Sequence, residues 1–235
     1  MRFLPISRVL LDLAELILPV ECGGCAAPNT RWCAHCDAEV VDDPVLLSPR
    51  MDPGVPVWAL GNYSGPRRRA VIAAKERGRR DLAAPLGSAV AHALVRLQRW
   101  GELDAPERAP VVLVPAPTRA RAARVRGGDP VTRIAVEAVG ARRVCPALAM
   151  RRGVRDSVGL SADQRRVNLA GSIRLTRSGA DFARYVSSDS PVSQHVSVVL
   201  LDDVSTTGAT ATESVRVLSQ SGIRVSAALV IAGVG

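Results

Sequence analysis

Apolar residues along this chain recur with two different periods. VWALGNYS (57–64), APVVLVPAP (109–117), HVSVVLLDD (195–203) and IRVSAALVIAG (223–233) each hold a short run that is apolar throughout, which is the pattern of strands covered on both faces. A further short strand falls within ARRVCPALAMRR (141–152). Between these runs the spacing changes to the helical one. Residues 65–100 read as a helix in two pieces, broken near Gly78, with Leu82, Leu86, Val90, Ala93, Leu94 and Leu97 on the buried face of the second. Residues 131–140 and 208–222 read as two more helices, the latter closed by Gly222. GVRDSVGLSADQRRVNLAGSIRL (153–175) is polar and Arg-rich with a helical turn near its centre, and SGADFARYVSSDSPVSQ (178–194) reads as a polar connection. Strands alternating with helices predict an α/β fold whose parallel sheet is covered on both faces.

The N-terminus has the outline of a signal peptide, but Arg8, Asp12 and Glu15 interrupt its apolar run and no small-residue cleavage site follows. Leu10, Leu13, Ala14 and Ile17 share one helical face, so a short amphipathic helix packed on a cytoplasmic protein is expected. No stretch reaches the ~20 apolar residues that span a bilayer.

Composition sharpens this picture in two places. Hydrophobic residues make up 47% of the 235 and aromatics only 3%, so the core is built from Val, Leu, Ala and Ile. The net charge of +9 permits a polyanionic partner such as nucleic acid. Yet 30 of the 31 basic residues are arginine and Lys75 is the only lysine, a bias that genome composition also produces.

Four of the five cysteines lie in CGGCAAPNTRWCAHC (22–36) as two Cys-x-x-Cys pairs, Cys22/Cys25 and Cys33/Cys36. Two such knuckles bring four thiolates to one point, the tetrahedral geometry zinc prefers, and leave no ligand position open for a catalytic water. A structural zinc ion is therefore expected, supplying folding free energy to a module too small for its own core. His35, inside the second knuckle, is expected to be exposed, and Cys145 to be a buried small hydrophobe. VVDDPVLLSPRMDPGVP follows the module and reads as a linker ending near residue 55, which divides the chain into residues 1–50 and 51–235.

VVLLDDVSTTGAT (198–210) carries the chemistry. Asp202 and Asp203 stand where an apolar strand emerges, and carboxylates there need a cation or hydroxyl donors to receive them. Vicinal ribose hydroxyls with Mg2+ nearby meet that need. Thr206, Thr207, Gly208, Ala209 and Thr210 then form a turn into a helix, where backbone N–H groups, hydroxyls and the positive helix end converge as a phosphate pocket. The order, hydroxyl binder then phosphate cradle, describes a ribose 5-phosphate.

This stretch resembles the phosphoribosyl-pyrophosphate (PRPP) motif of type I phosphoribosyltransferases. In that family the acids contact the ribose hydroxyls and the loop holds the 5-phosphate. A four-cysteine module ahead of such a domain resembles the ComF (competence protein F) family. NYSGPRRRAVIAAKERGRRDLAAPLG is similar to that family's tyrosine-glycine then lysine-x-x-glycine segment, with Lys75 at the lysine position. VPAPTRARAARVRGG is similar to its Val-Pro-x-Pro strand end and basic loop, which places Pro115, Ala116, Pro117 and Arg119 beside the pyrophosphate. The 153–175 segment resembles its loop ending in Arg-x-x-Asn-x-x-Gly, here Arg165, Asn168 and Gly171, with Arg155 a further cation of that loop. The chain departs from the family at Arg126-Gly-Gly-Asp-Pro130, where Arg-Gly-Phe-Asn-Gln is usual: Asp129 would repel a pyrophosphate and Pro130 lacks a donor. The resemblance implies a Rossmann-like type I phosphoribosyltransferase domain behind a zinc ribbon, with Zn2+ structural and Mg2+ bound with PRPP. It implies a phosphoribosyltransferase linked to DNA uptake or nucleotide metabolism, with PRPP or a related ribose phosphate as ligand. Two other roles use the same pocket without turnover, PRPP sensing and single-stranded-DNA handling alongside DNA-uptake proteins. The basic loops suit the latter electrostatically, whereas only seven aromatics, Trp32 and Tyr63 among them, are available for base stacking.

Overall fold

The computed structural model describes residues 20–118, 128–151, 171–187 and 195–234. In chain order the elements are α1 (Ala34–Val40), β1 (Val45–Leu47), β2 (Val57–Ala59), α2 (Gly65–Glu76), α3 (Ala83–Arg99), β3 (Val111–Pro115), α4 (Pro130–Val139), β4 (Leu148–Met150), β5 (Ile173–Leu175), α5 (Arg177–Val186), β6 (Ser197–Ser205), α6 (Ala209–Gln220) and β7 (Val225–Gly233). The amphipathic helix expected before residue 20 and the helical turn expected within 153–175 lie outside the described residues.

The central sheet runs β1-β2-β7-β6-β3. β2, β7, β6 and β3 are parallel, and β1 is an antiparallel edge. A parallel bridge between Leu113 and Val144 extends the sheet beyond β3. The chain is therefore α/β with a mostly parallel sheet, as the unbroken apolar runs require.

Both faces of that sheet are buried. On one, Leu86, Val90 and Leu97 of α3 and Ile134 of α4 pack on Leu113, Val199, Leu201, Leu229 and Ile231. On the other, Val215 and Leu218 of α6 and the β4–β5 ribbon pack on Val114, Val198 and Leu200. Adjacent residues of β6 thus feed opposite layers, the two-residue alternation of a strand.

Three segments differ from the sequence expectation. β6 continues to Ser205 rather than ending at Asp203, because Val204 and Ser205 pair with Ala232 and Gly233 of β7. Residues 177–186, expected as a polar connection, are helix α5: Thr176 caps it by accepting from the Gly179 N–H at 3.0 Å. The stretch expected as a linker contains β1, whose Val45, Leu46 and Leu47 pair with Ala59, Trp58 and Val57. Four prolines and three acids pointed to a spacer, but backbone pairing at a sheet edge needs no particular side chains.

Candidate functional site

The four parallel strands end at one edge, and the crossovers there diverge. From β3 the chain passes through α4 on one face toward Val144, away from β6. From β6 it passes through α6 on the other face to β7, away from β3. Where neighbouring parallel strands send their chains in opposite directions, a crevice opens between their carboxyl ends, and ligands bind in such crevices. Here that crevice is bordered by Pro115, Ala116 and Pro117 on β3's side and by the 202–210 stretch on β6's side. The Ala116 N–H donates to the Leu201 carbonyl at 2.7 Å, so the two borders are held together.

Asp202 and Asp203 do not face the same surroundings. Alternation puts Asp203 on the layer of Val199 and Leu201, where α2 packs. There the last turn of α2 delivers Lys75, whose Nζ lies 2.7 Å from Asp203 Oδ2. Asp202 belongs to the opposite layer, and its Oδ1 accepts the Asp203 N–H at 2.8 Å. Burial pushes the Asp202 carboxyl well above the usual carboxylate range, the Asp203 charge adds to this, and the Asp203 N–H and Lys75 oppose it. The pair expected as one hydroxyl-binding unit is thus split into one acid held by an ammonium and one whose charged form burial disfavours.

Beyond β6 the chain turns through Thr206 and Thr207 into α6. Gly208 precedes the helix with φ +82°, a left-handed conformation that suits glycine. A Cβ at Gly208 would also lie 2.4 Å from the Met51 carbonyl oxygen. Gly208 has no side chain to cap α6, so the helix entrance is served by the Thr207 hydroxyl, which accepts the Ala209 N–H at a long 3.4 Å. Thr206 is exposed and Thr207 and Thr210 are half-buried. The loop therefore brings hydroxyls, backbone donors and the positive end of a 12-residue helix to the crevice.

Residues the sequence did not mark hold this loop. The Met51 N–H donates to the Thr207 carbonyl at 2.9 Å. The Thr212 hydroxyl donates to the Gly208 carbonyl at 3.0 Å and lies 3.3 Å from that of Met51. Pro49 also packs against Gly208. Nothing local announces a contact across 161 positions of sequence, so no pattern could have revealed it.

On the far side, Glu213 is buried on α6. It accepts the Gly171 N–H at 2.8 Å and a two-nitrogen fork from Arg216 at 2.6 and 2.7 Å. The Arg216 fork lowers the Glu213 carboxyl below its usual range, with burial opposing. An acid and an arginine three apart on a helix were legible as a pair, but not the tie to Gly171. Arg119, Arg155, Arg165 and Asn168 lie outside the described residues.

Asp129 has a structural duty. It caps α4 by accepting the Thr132 N–H at 2.9 Å and the Thr132 hydroxyl at 2.6 Å, and it accepts the Thr118 hydroxyl at 2.6 Å. Pro130 fits the first helical turn, where its missing N–H costs nothing. The Asp-Pro pair that looks wrong for a pyrophosphate loop is right for starting a helix.

The Sγ atoms of Cys22, Cys25, Cys33 and Cys36 all lie within 4.8 Å of one another, and Cys25 and Cys33 are 3.6 Å apart. A tetrahedral site with Zn–S bonds of about 2.3 Å has S···S edges of about 3.8 Å, so these four thiols fit a metal ion. The Cys33 N–H points at Cys22 Sγ and the Cys36 N–H at Cys33 Sγ, at 3.4 and 3.5 Å. Burial pushes the Cys22 thiol up, but N–H groups of Cys25, Gly24 and Cys33 outweigh it and bring it down to about 6. Gly24 is required, since a Cβ there would lie 2.6 Å from Cys36 Sγ. His35 is exposed and pairs with Glu39 at 3.6 Å, outside the cluster. Cys145 is half-buried, and burial raises its thiol to about 11.

The module is docked, not appended. Val40 at the end of α1 enters the main core, and Trp32 packs against it. Arg79 donates to the carbonyls of Glu21 and Arg31 at 3.0 and 3.2 Å while Asp81 holds its guanidinium at 2.7 Å. Among the described residues no helix is long and apolar enough to cross a membrane. No family model matches the chain, and no curated protein matches it in sequence.

Proposed function

We propose that the chain is a ComF-family protein whose crevice binds PRPP or a related ribose 5-phosphate, and that it is a phosphoribosyltransferase. The observation that carries this reading is the order of groups at the carboxyl ends of β3 and β6: two acids, then a hydroxyl-rich loop, then a helix entered through a left-handed glycine. The helix entrance takes the 5-phosphate. Asp203, held by Lys75, accepts from a ribose hydroxyl, and Asp202 stands next to it at the same strand end. Pro115, Ala116 and Pro117 border the leaving pyrophosphate.

In the reaction a nucleophile on the acceptor forms a bond to the anomeric carbon. The bond from that carbon to the pyrophosphate oxygen breaks, its electron pair leaves with pyrophosphate, and the acceptor gives up a proton. The chain's residues position ribose and phosphate and exclude water. The chemistry that Mg2+ would supply is neutralisation of charge on the pyrophosphate. Zinc in the four-cysteine site has a structural role, all four ligands being protein thiolates.

Single-stranded-DNA handling through the same pocket is the weaker reading. Trp32 Nε1 donates to Asp37 at 3.0 Å, and the Arg68 guanidinium lies 5.8 Å over the Tyr63 ring, so both aromatic candidates have local roles. The deciding measurement is PRPP-dependent release of pyrophosphate across a panel of nucleobase and amine acceptors. Release that disappears in Asp202→Asn/Asp203→Asn supports transfer. PRPP binding without release with any acceptor sinks it in favour of sensing. No saturable binding of PRPP with Mg2+ overturns the pocket itself.

A further inference from the structure

Among the described residues, two mechanical connections run from the four-cysteine module to the crevice walls. The first is α2. Pro66 in its first turn packs under Gly24, where an added Cβ would come within 3.1 Å. Arg67 of the same turn donates to the Glu39 carbonyl, and Arg69 to the carbonyl of the metal-site Cys25 at 3.4 Å. The last turn of this 12-residue helix carries Lys75, 2.7 Å from Asp203. From Arg67 to Lys75 the axis advances about 12 Å, and a helix transmits a displacement over that length without absorbing it. The second connection is the chain leaving α1. Asp43 pairs with Arg96 at 2.6 Å, β1 joins the sheet edge, and Met51 then bonds Thr207 at 2.9 Å and packs on Gly208.

One walls the ribose side of the crevice and the other the phosphate side. The identity of the first contact is also distinctive: in a chain that uses arginine at 30 of 31 basic positions, the residue at Asp203 is the single lysine. An ammonium is a compact point charge that a ligand can displace, whereas a guanidinium fork would occupy both carboxylate oxygens.

We propose that the four-cysteine centre sets the geometry of the ligand pocket. Metal held by Cys22, Cys25, Cys33 and Cys36 fixes the module, the module seats α2 and the 42–51 segment, and these place Lys75 on Asp203 and Met51 on the phosphate loop. Loss of metal therefore weakens ligand binding at the crevice. This regulation of the site rests on the pocket reading given above.

Because Lys75 is the only lysine, protein grown on lysine labelled with 13C at Cε carries one lysine signal. The full-length, metal-loaded protein and the same protein after chelation are compared by this signal, by hydrogen exchange of backbone amides, and by equilibrium binding of PRPP with Mg2+. On metal removal the lysine signal is expected to move to the position of free lysine. Amides of 50–51 and 205–212 exchange faster while those of β7 keep their protection, and PRPP binds at least ten-fold more weakly. Lys75→Met, with its metal retained, binds PRPP several-fold more weakly, and chelation then costs it less than it costs the wild type. An unchanged lysine signal and unchanged affinity after metal removal overturn the proposal. So does loss of β7 protection in step with the loop, which makes the module a support of the whole fold rather than of the pocket. If the metal-loaded protein binds no PRPP, the functional reading fails, while the lysine signal and the exchange pattern still decide the coupling.

Discussion

Lys75 Nζ sits 2.7 Å from Asp203 Oδ2, joining the last turn of α2 to the strand that carries both acids. The lysine side chain is 44% exposed and the aspartate 17%, so the pair is partly solvated. Partly exposed pairs contribute about 0–1 kcal/mol to stability. Lys75→Met is therefore expected to shift the melting temperature little. Lys75→Arg keeps the charge but fills Asp203 with a fork, and is expected to weaken PRPP binding nearly as much as Lys75→Met. Calorimetric binding alongside thermal melts checks both, and an arginine variant with wild-type affinity contradicts the displaceable-cation role.

Asp202 has a folded-state pKa raised above its ordinary value of 3.8. Between those two pKa values the folded chain binds more protons than the unfolded one, so its contribution to stability is fully present below pH 3.8 and is lost as pH rises through the folded value. Asp202→Asn removes a titration of that sign. The difference in melting temperature, variant minus wild type, is expected to grow as pH increases from 4 toward neutrality. Glu213 has the opposite sign: its lowered pKa gives stability present above its ordinary 4.5 and lost as pH falls through the folded value. Glu213→Gln is expected to weaken the chain chiefly at neutral pH.

Gly208→Ala places a Cβ on a residue at φ +82° and 2.4 Å from the Met51 carbonyl. Left-handed strain alone costs about 1–3 kcal/mol. The variant is expected to lose about 2 kcal/mol or more in denaturant unfolding and to lose PRPP binding if that is the ligand, because relief requires moving either the 206–210 loop or the 49–51 segment.

Asp129→Ala removes the cap of α4 and is expected to cost about 1 kcal/mol of unfolding free energy. Asp129→Asn keeps a capping oxygen and removes the charge. Its stability should stay within about 0.5 kcal/mol of wild type if capping is what the residue does. A larger loss would mean that the charge, not the cap, matters there.

One zinc ion per chain is expected by elemental analysis of the purified protein. Cys25→Ser, which removes one of four mutually adjacent thiols, is expected to lower metal content and thermal stability together. Retention of stoichiometric metal in that variant would show that the cluster is not the binding site.

Much of this was legible in the sequence. Unbroken apolar runs implied buried parallel strands, since only strands covered on both faces lack alternation, and two Cys-x-x-Cys pairs implied one point of four thiols. Acids followed by hydroxyls and a glycine implied a helix entrance, because each residue type serves a backbone need within a few positions. Tertiary structure decided the rest. Whether Asp202 and Asp203 act alike depended on which layers sheet burial gave them, and sequence adjacency hid that they face opposite ways. The placement of Lys75 on Asp203, of Met51 on Thr207 and of Gly171 on Glu213 joins residues far apart along the chain. Asp129 became a cap rather than a misplaced charge once α4 began beside it. Local propensity reaches only a turn or two of chain, and the partners that give these groups their charge and position are brought to them by the packing of the sheet.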